Sequence, residues 1–159
     1  MKRPKKGFKQ ALTRRFRKAI ALSGQQWLVL LYACCLLNFI RLLLWRFPFG
    51  KVRAQLATVS AKWTTTMPGP TISVAFIAWT VSAASRHTPG GAMCLVRALT
   101  MQLLLNHYGY AHQLHIGVTR NAQQVFEAHA WVEYEGRVIM GYLNHLDQFK
   151  RLTTAGKES

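Results

Sequence analysis

Residues 87–118 read HTPGGAMCLVRALTMQLLLNHYGYAHQLHIGV, and residues 126–139 read FEAHAWVEYEGRVI. His87–Gly91 is a loop, with proline and two glycines in five residues. Ala92–Tyr108 is the strongest helix of the chain, with Leu95, Leu99 and Leu103 on one face and Gly109 placed to cap its end. After Gly109 the apolar period changes from helical to two: Leu114, Ile116 and Val118 alternate with His115 and Gly117. Val125–Tyr134 is a second strand and Arg137–Tyr142 a third, joined by Glu135-Gly136 as a hairpin turn. One helix leading into an antiparallel sheet makes the fold α+β, with a cysteine at the start of that helix and a histidine in the middle of a strand.

Cys94 follows the Pro-Gly-Gly loop in the first helical turn. A helix start carries partial positive charge and unpaired N–H groups, a setting suited to a thiolate nucleophile. The same N–H groups can donate to an oxyanion. His129, on a strand that packs beside the helix start, supplies the base that an activated nucleophile requires. Trp131 lies two residues on, on the same strand face, where it can shield the pair from water. Singly, such a cysteine is most often a small buried hydrophobe and such a histidine a structural hydrogen-bonder. The combination, in this order and with this spacing, favours catalysis.

These residues carry a resemblance. C-L-x-R-A-L (Cys94 to Leu99), I-G-V (Ile116 to Val118) and A-H-A-W-V-E (Ala128 to Glu133) are similar to the transglutaminase-like, papain-related cysteine enzymes. Within them the chain resembles the leader peptidases of lasso-peptide biosynthesis, in the stand-alone form without a fused leader-recognition domain. The resemblance covers Ser82 to Leu152 in detail and the basic, leucine-rich N-terminal half more loosely. It implies removal of a leader from a ribosomal precursor peptide, with a separate leader-recognition protein as partner and an ATP-dependent lasso cyclase acting on the product. It implies no cofactor. The family usually carries an Asp soon after the hairpin, as the third member of a triad; here that position is Gly141. Asp147 or Asn144 from the next loop, a backbone carbonyl, or a simple Cys-His dyad are the alternatives. Glu127 and Glu133 share the strand face of His129 and read as solvated or paired with arginine.

Outward from this centre, Arg97 lies one turn after Cys94, suited equally to positioning substrate or to a structural role. His112 and His115, three apart in a strand, point to opposite faces, so no metal site is expected. Thr64–Pro70 (TTTMPGP) marks a boundary, dividing a basic helical region over 1–66 from a catalytic region over 67–159. The first region holds a helix with Phe8, Leu12, Phe16 and Ile20 on one face, a helix over Trp27–Trp45 and a shorter one through Val52, Leu56, Val59 and Trp63. The chain carries 21 Lys+Arg against 5 Asp+Glu, a net +16, and no acidic residue precedes Glu127. Such charge attracts anionic partners. Zinc-finger spacing, RNP strings and helix-turn-helix patterns are absent, so nucleic acid is not expected; Arg14, Arg15 and Arg17 instead suit docking to the recognition protein or an acidic leader. The apolar run Trp27–Ile40 is shorter than a membrane span. It suits a buried or partner-facing helix, with peripheral membrane contact as the alternative. Three cysteines with no evident pairing fit the cytoplasm. Two other functions compete with the peptidase: an acyltransferase or transglutaminase of the same fold, and a non-catalytic membrane or nucleic-acid adaptor.

Overall fold

The computed structural model describes residues 22–63, 72–86, 94–120 and 124–155. Among the described residues four helices come first: α1 Gly24–Arg46, α2 Phe49–Trp63, α3 Val74–Arg86 and α4 Cys94–His107. Four strands follow: β1 Gln113–Arg120, β2 Phe126–Tyr134, β3 Arg137–Met140 and β4 Lys150–Ala155, with a single 3-10 turn at Leu146–Gln148 before β4. The architecture is α+β, as the change of period implies. The expected helix over Phe8–Ile20, Arg14, Arg15, Arg17 and the Thr64–Pro70 boundary lie outside the described residues.

Local chemistry sets the element ends. Ser23 caps α1: its Oγ accepts from Gln26 N at 3.3 Å while the Gln26 side chain accepts from Ser23 N at 3.0 Å, satisfying two otherwise orphaned donors. Pro48 stops α1 from continuing into α2. Helix α4 ends with Gly109 at φ +74, Gly109 N donating to Asn106 O at 3.1 Å and Tyr110 N to Leu105 O at 2.9 Å. This left-handed closure is what glycine permits at low cost. The chain then enters β1. Glu135 and Gly136, at φ +49 and +71, form the tight turn between β2 and β3.

The sheet runs β3-β2-β1-β4 and its pairs are antiparallel. Strand β4 is absent from the sequence reading because KRLTTA shows no apolar alternation; it is an edge strand, and charged residues are at home there. In the β1–β2 register Gly117 faces His129 and His115 faces Trp131. The sheet therefore has two distinct faces. Leu114, Ile116, Ala130, Val132 and Met140 join the core with the helices. His115, Gly117, His129, Trp131 and Glu133 occupy the other face.

The core is continuous across the expected boundary at residue 66. Val29, Ala33, Leu37 and Ile40 of α1 and Val52 of α2 share one buried cluster with Ile77 and Val81 of α3 and Val96, Leu99 and Leu103 of α4. Helix α1 packs on α3 and α4, so it covers the cysteine helix from behind rather than the sheet. Buried hydroxyls in these helices are satisfied locally, Thr100 Oγ1 on Val96 O and Thr80 Oγ1 on Phe76 O, both at 2.8 Å.

Candidate active site

Cys94 is the first described residue of α4, the expected loop His87–Gly91 lying outside the described residues, and α4 packs on β2. Its half-buried Sγ lies 4.0 Å from the carbonyl oxygen of Ala128, the residue before His129. Strand geometry fixes where this carbonyl points. Carbonyls two residues apart on a strand face the same way, and Ala130 O lies beside Gly141, just past the end of β3. Ala128 O therefore faces the same edge of β2, at a level that β3 does not reach because it stops at Met140. The short β3 leaves a stretch of β2 edge open, and the N-terminus of α4 meets it there.

His129 reaches toward the same end of β3. Its Nε2 lies 2.8 Å from Gly141 O. A carbonyl only accepts, so Nε2 carries the proton and the neutral ring keeps its lone pair on Nδ1. Of the orienters considered for this ring, the backbone carbonyl makes the bond. Asp147, on the 3-10 turn, and Asn144 are both exposed, and neither hydrogen-bonds the imidazole. The position expected to bear an acid thus contributes through its main chain.

Gly141 has no room for a side chain. Its φ is +80, and a Cβ there would lie 2.6 Å from Ala130 O and 3.0 Å from Trp131 Cα. An aspartate at this position would need the chain after β3 to move. Gly117, opposite His129, has little room for a Cβ for a related reason. The Trp131 ring and Phe149 Cβ would both lie 3.0 Å from it. The I-G-V string is therefore a packing requirement: the glycine leaves the space that the indole fills.

Trp131 is 2 % exposed, and its ring is nearly parallel to that of His129, with centroids 6.4 Å apart. Its Nε1 donates to Glu133 Oε1 at 2.9 Å. Glu133 also takes Arg151 Nη2 at 3.1 Å and His115 Nε2 at 3.1 Å. His115 is fully buried and stacks on the indole at 5.4 Å. Burial is the main force holding the His115 imidazole below its ordinary value; Glu133 opposes that shift and Arg151 adds to it. Burial would raise the Glu133 carboxyl, but the Trp131 N–H, His115 and Arg151 together hold it below its ordinary value. The reading of Glu133 as paired with arginine is met, and its larger task is to anchor the tryptophan against which His129 lies.

Phe149 escaped the sequence reading. It is buried, and its ring lies 5.7 Å from His129 and 6.5 Å from Trp131. Its only sequence signal was one aromatic in a polar stretch before β4. Arg97 is half-buried, with Nη2 3.4 Å from Met140 Sδ and a buried Nε that has no hydrogen-bond partner among the described residues. His112 Nδ1 bonds Tyr110 O at 2.8 Å.

No curated protein and no solved structure matches the chain in the comparisons made. A family profile does, over residues 36–154, which takes in the latter part of α1, the cysteine helix and all but the last residue of the sheet. The members of that family are typically cysteine-dependent enzymes. With its cysteine at a helix start and its histidine on the adjoining strand, this chain belongs to the transglutaminase-like superfamily.

Proposed function

We propose that the chain is a cysteine peptidase that removes the leader from a ribosomally made lasso-peptide precursor. The observation that carries the catalytic part is the Nε2 bond from His129 to Gly141 O, which leaves Nδ1 as the basic nitrogen, on the residue that follows the Ala128 carbonyl lying 4.0 Å from Cys94 Sγ. The leader-peptidase part rests on the motifs from Cys94 to Glu133.

In this reading the Cys94 sulfur attacks the scissile carbonyl and its proton passes to His129 Nδ1. The N–H groups of the first turn of α4 hold the oxyanion. His129 returns the proton to the departing amine, leaving a thioester on Cys94. Water, deprotonated by the same ring, then releases the acid and restores the thiol. Gly141 O fixes the tautomer, and Trp131 walls one side of the imidazole. Arg97, one turn after Cys94, positions the substrate. The partner is a separate leader-recognition protein that raises the leader's effective concentration at Cys94. It docks through Arg14, Arg15 and Arg17, and the ATP-dependent cyclase consumes the product.

The test is incubation of the protein with the precursor peptide encoded beside its gene, with and without the recognition protein, read by mass spectrometry. Slow cleavage alone, strong acceleration by the partner, and loss of both in Cys94→Ala and His129→Ala are expected. Products carrying an added amine in place of water would make the chain an acyltransferase. Cleavage that survives Cys94→Ala would overturn the mechanism.

A further inference from the structure

Helix α1 is apolar on both sides, and only one side is used. Val29, Ala33, Leu36, Leu37 and Ile40 face the protein core. On the opposite side Trp27, Leu28, Leu31, Phe39, Leu42 and Trp45 form one stripe along the helix, with Leu28 68 %, Leu31 63 % and Trp45 81 % exposed. The helix has 23 residues and so a length of about 34 Å. The one polar amide within the stripe, Asn38, turns its Nδ2 back onto Cys34 O at 2.8 Å and so hides a donor. An exposed apolar surface of this size marks an interaction site.

We propose that this stripe lies flat on an anionic lipid surface. Three observations select that occupant. A tryptophan stands at each end of the stripe, the residue that settles at membrane interfaces. The charges in and just beyond the helix are Arg41, Arg46, Lys51 and Arg53, and no acidic residue precedes Glu127 anywhere in the chain. A second copy is disfavoured, because two stripes flanked by the same cations would bring like charges together in a protein of net +16. A transverse span is disfavoured as well. The inner face of α1 is packed on α3 and α4, so the helix meets lipid with one side only, as an interfacial helix does. The proposal is independent of the peptidase reading.

The full chain is mixed with vesicles of equal parts phosphatidylglycerol and phosphatidylcholine, or of phosphatidylcholine alone, and sedimented. Cys35 is exposed on the stripe and serves as the reporter, through labelling by a water-soluble maleimide. Roughly tenfold or greater preference for the anionic vesicles, release by high salt, a blue-shifted tryptophan emission and protection of Cys35 are expected. The double variant Leu31→Glu, Leu42→Glu should lose binding while keeping its circular dichroism. Trp27→Phe, Trp45→Phe should still bind but lose most of the emission shift, which secures the result if the charged variant misfolds. Four outcomes overturn the proposal: no sedimentation with anionic vesicles; sedimentation that leaves Cys35 labelling unchanged; binding that resists salt and alkaline carbonate, which indicates an integral helix; or a dimer in solution that the Leu31→Glu change dissolves, which gives the stripe to a second copy.

Discussion

Gly141 stands where the family resemblance leads one to expect an aspartate, and its carbonyl rather than its side chain meets His129. A carbonyl fixes the ring's orientation and tautomer but would bring no full negative charge to the imidazolium that the proposed mechanism forms. Restoring the acid in place should fail. In Gly141→Asp the new Cβ meets Ala130 O at 2.6 Å at a φ of +80, so stability should fall by about 2 kcal/mol or more, and turnover should fall with it. Urea midpoints and cleavage rates check this; a Gly141→Asp variant as stable as the parent and more active would remove the carbonyl from the mechanism. Asp147→Asn should leave turnover within about twofold, because the carboxyl makes no bond to the ring, whereas His129→Ala should abolish it. Gly117→Ala should cost about 1–3 kcal/mol by forcing a methyl group against Trp131 and Phe149, both 3.0 Å away. If Trp131 walls the imidazole, kcat in that variant should fall by more than KM changes.

At the level of elements, α1 is both a core helix and an outer surface. Leu37→Ala should destabilise the protein by about 2–5 kcal/mol, since the side chain is fully buried against α3 and α4. Leu31→Ala, on the open side of the same helix, should stay within about 0.5 kcal/mol. Equilibrium urea unfolding of the two variants separates the faces; equal losses would mean that the stripe is covered in the folded chain. Strand β3 shows how a short element makes a site. Its stop at Met140 exposes the edge of β2 to Cys94, and the glycine that follows turns its carbonyl to His129.

For the whole molecule, the buried set around Trp131 couples stability to pH. The folded His115 ring binds its proton less readily than the unfolded one, so its contribution is complete above the ordinary value of 6.5 and is lost as pH falls from there to its lower folded value. Glu133, held below its ordinary value of 4.5, contributes above that value and is lost as pH falls toward its lower folded value. The two losses have the same sign, and that of His115 begins at the higher pH. Melting temperature should begin to fall as pH drops below the ordinary histidine value of 6.5, with a further loss below the ordinary carboxyl value of 4.5. Replacing His115 by Gln should flatten the first limb and weaken the second without removing it, because Trp131 and Arg151 still hold Glu133 down; an unchanged first limb would assign it to another group.

The α+β class, the cysteine helix with its glycine cap and the hairpin at Glu135-Gly136 were legible in the sequence, because helical spacing, period-two alternation and turn residues are local signals. Strand β4 was not, since an edge strand needs no alternating pattern. The burial of Phe149 and the service of Glu133 to Trp131 were invisible for a similar reason: both depend on which residues the sheet register brings opposite one another. The partner of His129 had to come from the fold as well. Sequence compares side chains, and the group that meets this imidazole is a backbone carbonyl, positioned by where β3 ends and by a left-handed turn that only a residue without a Cβ can make there.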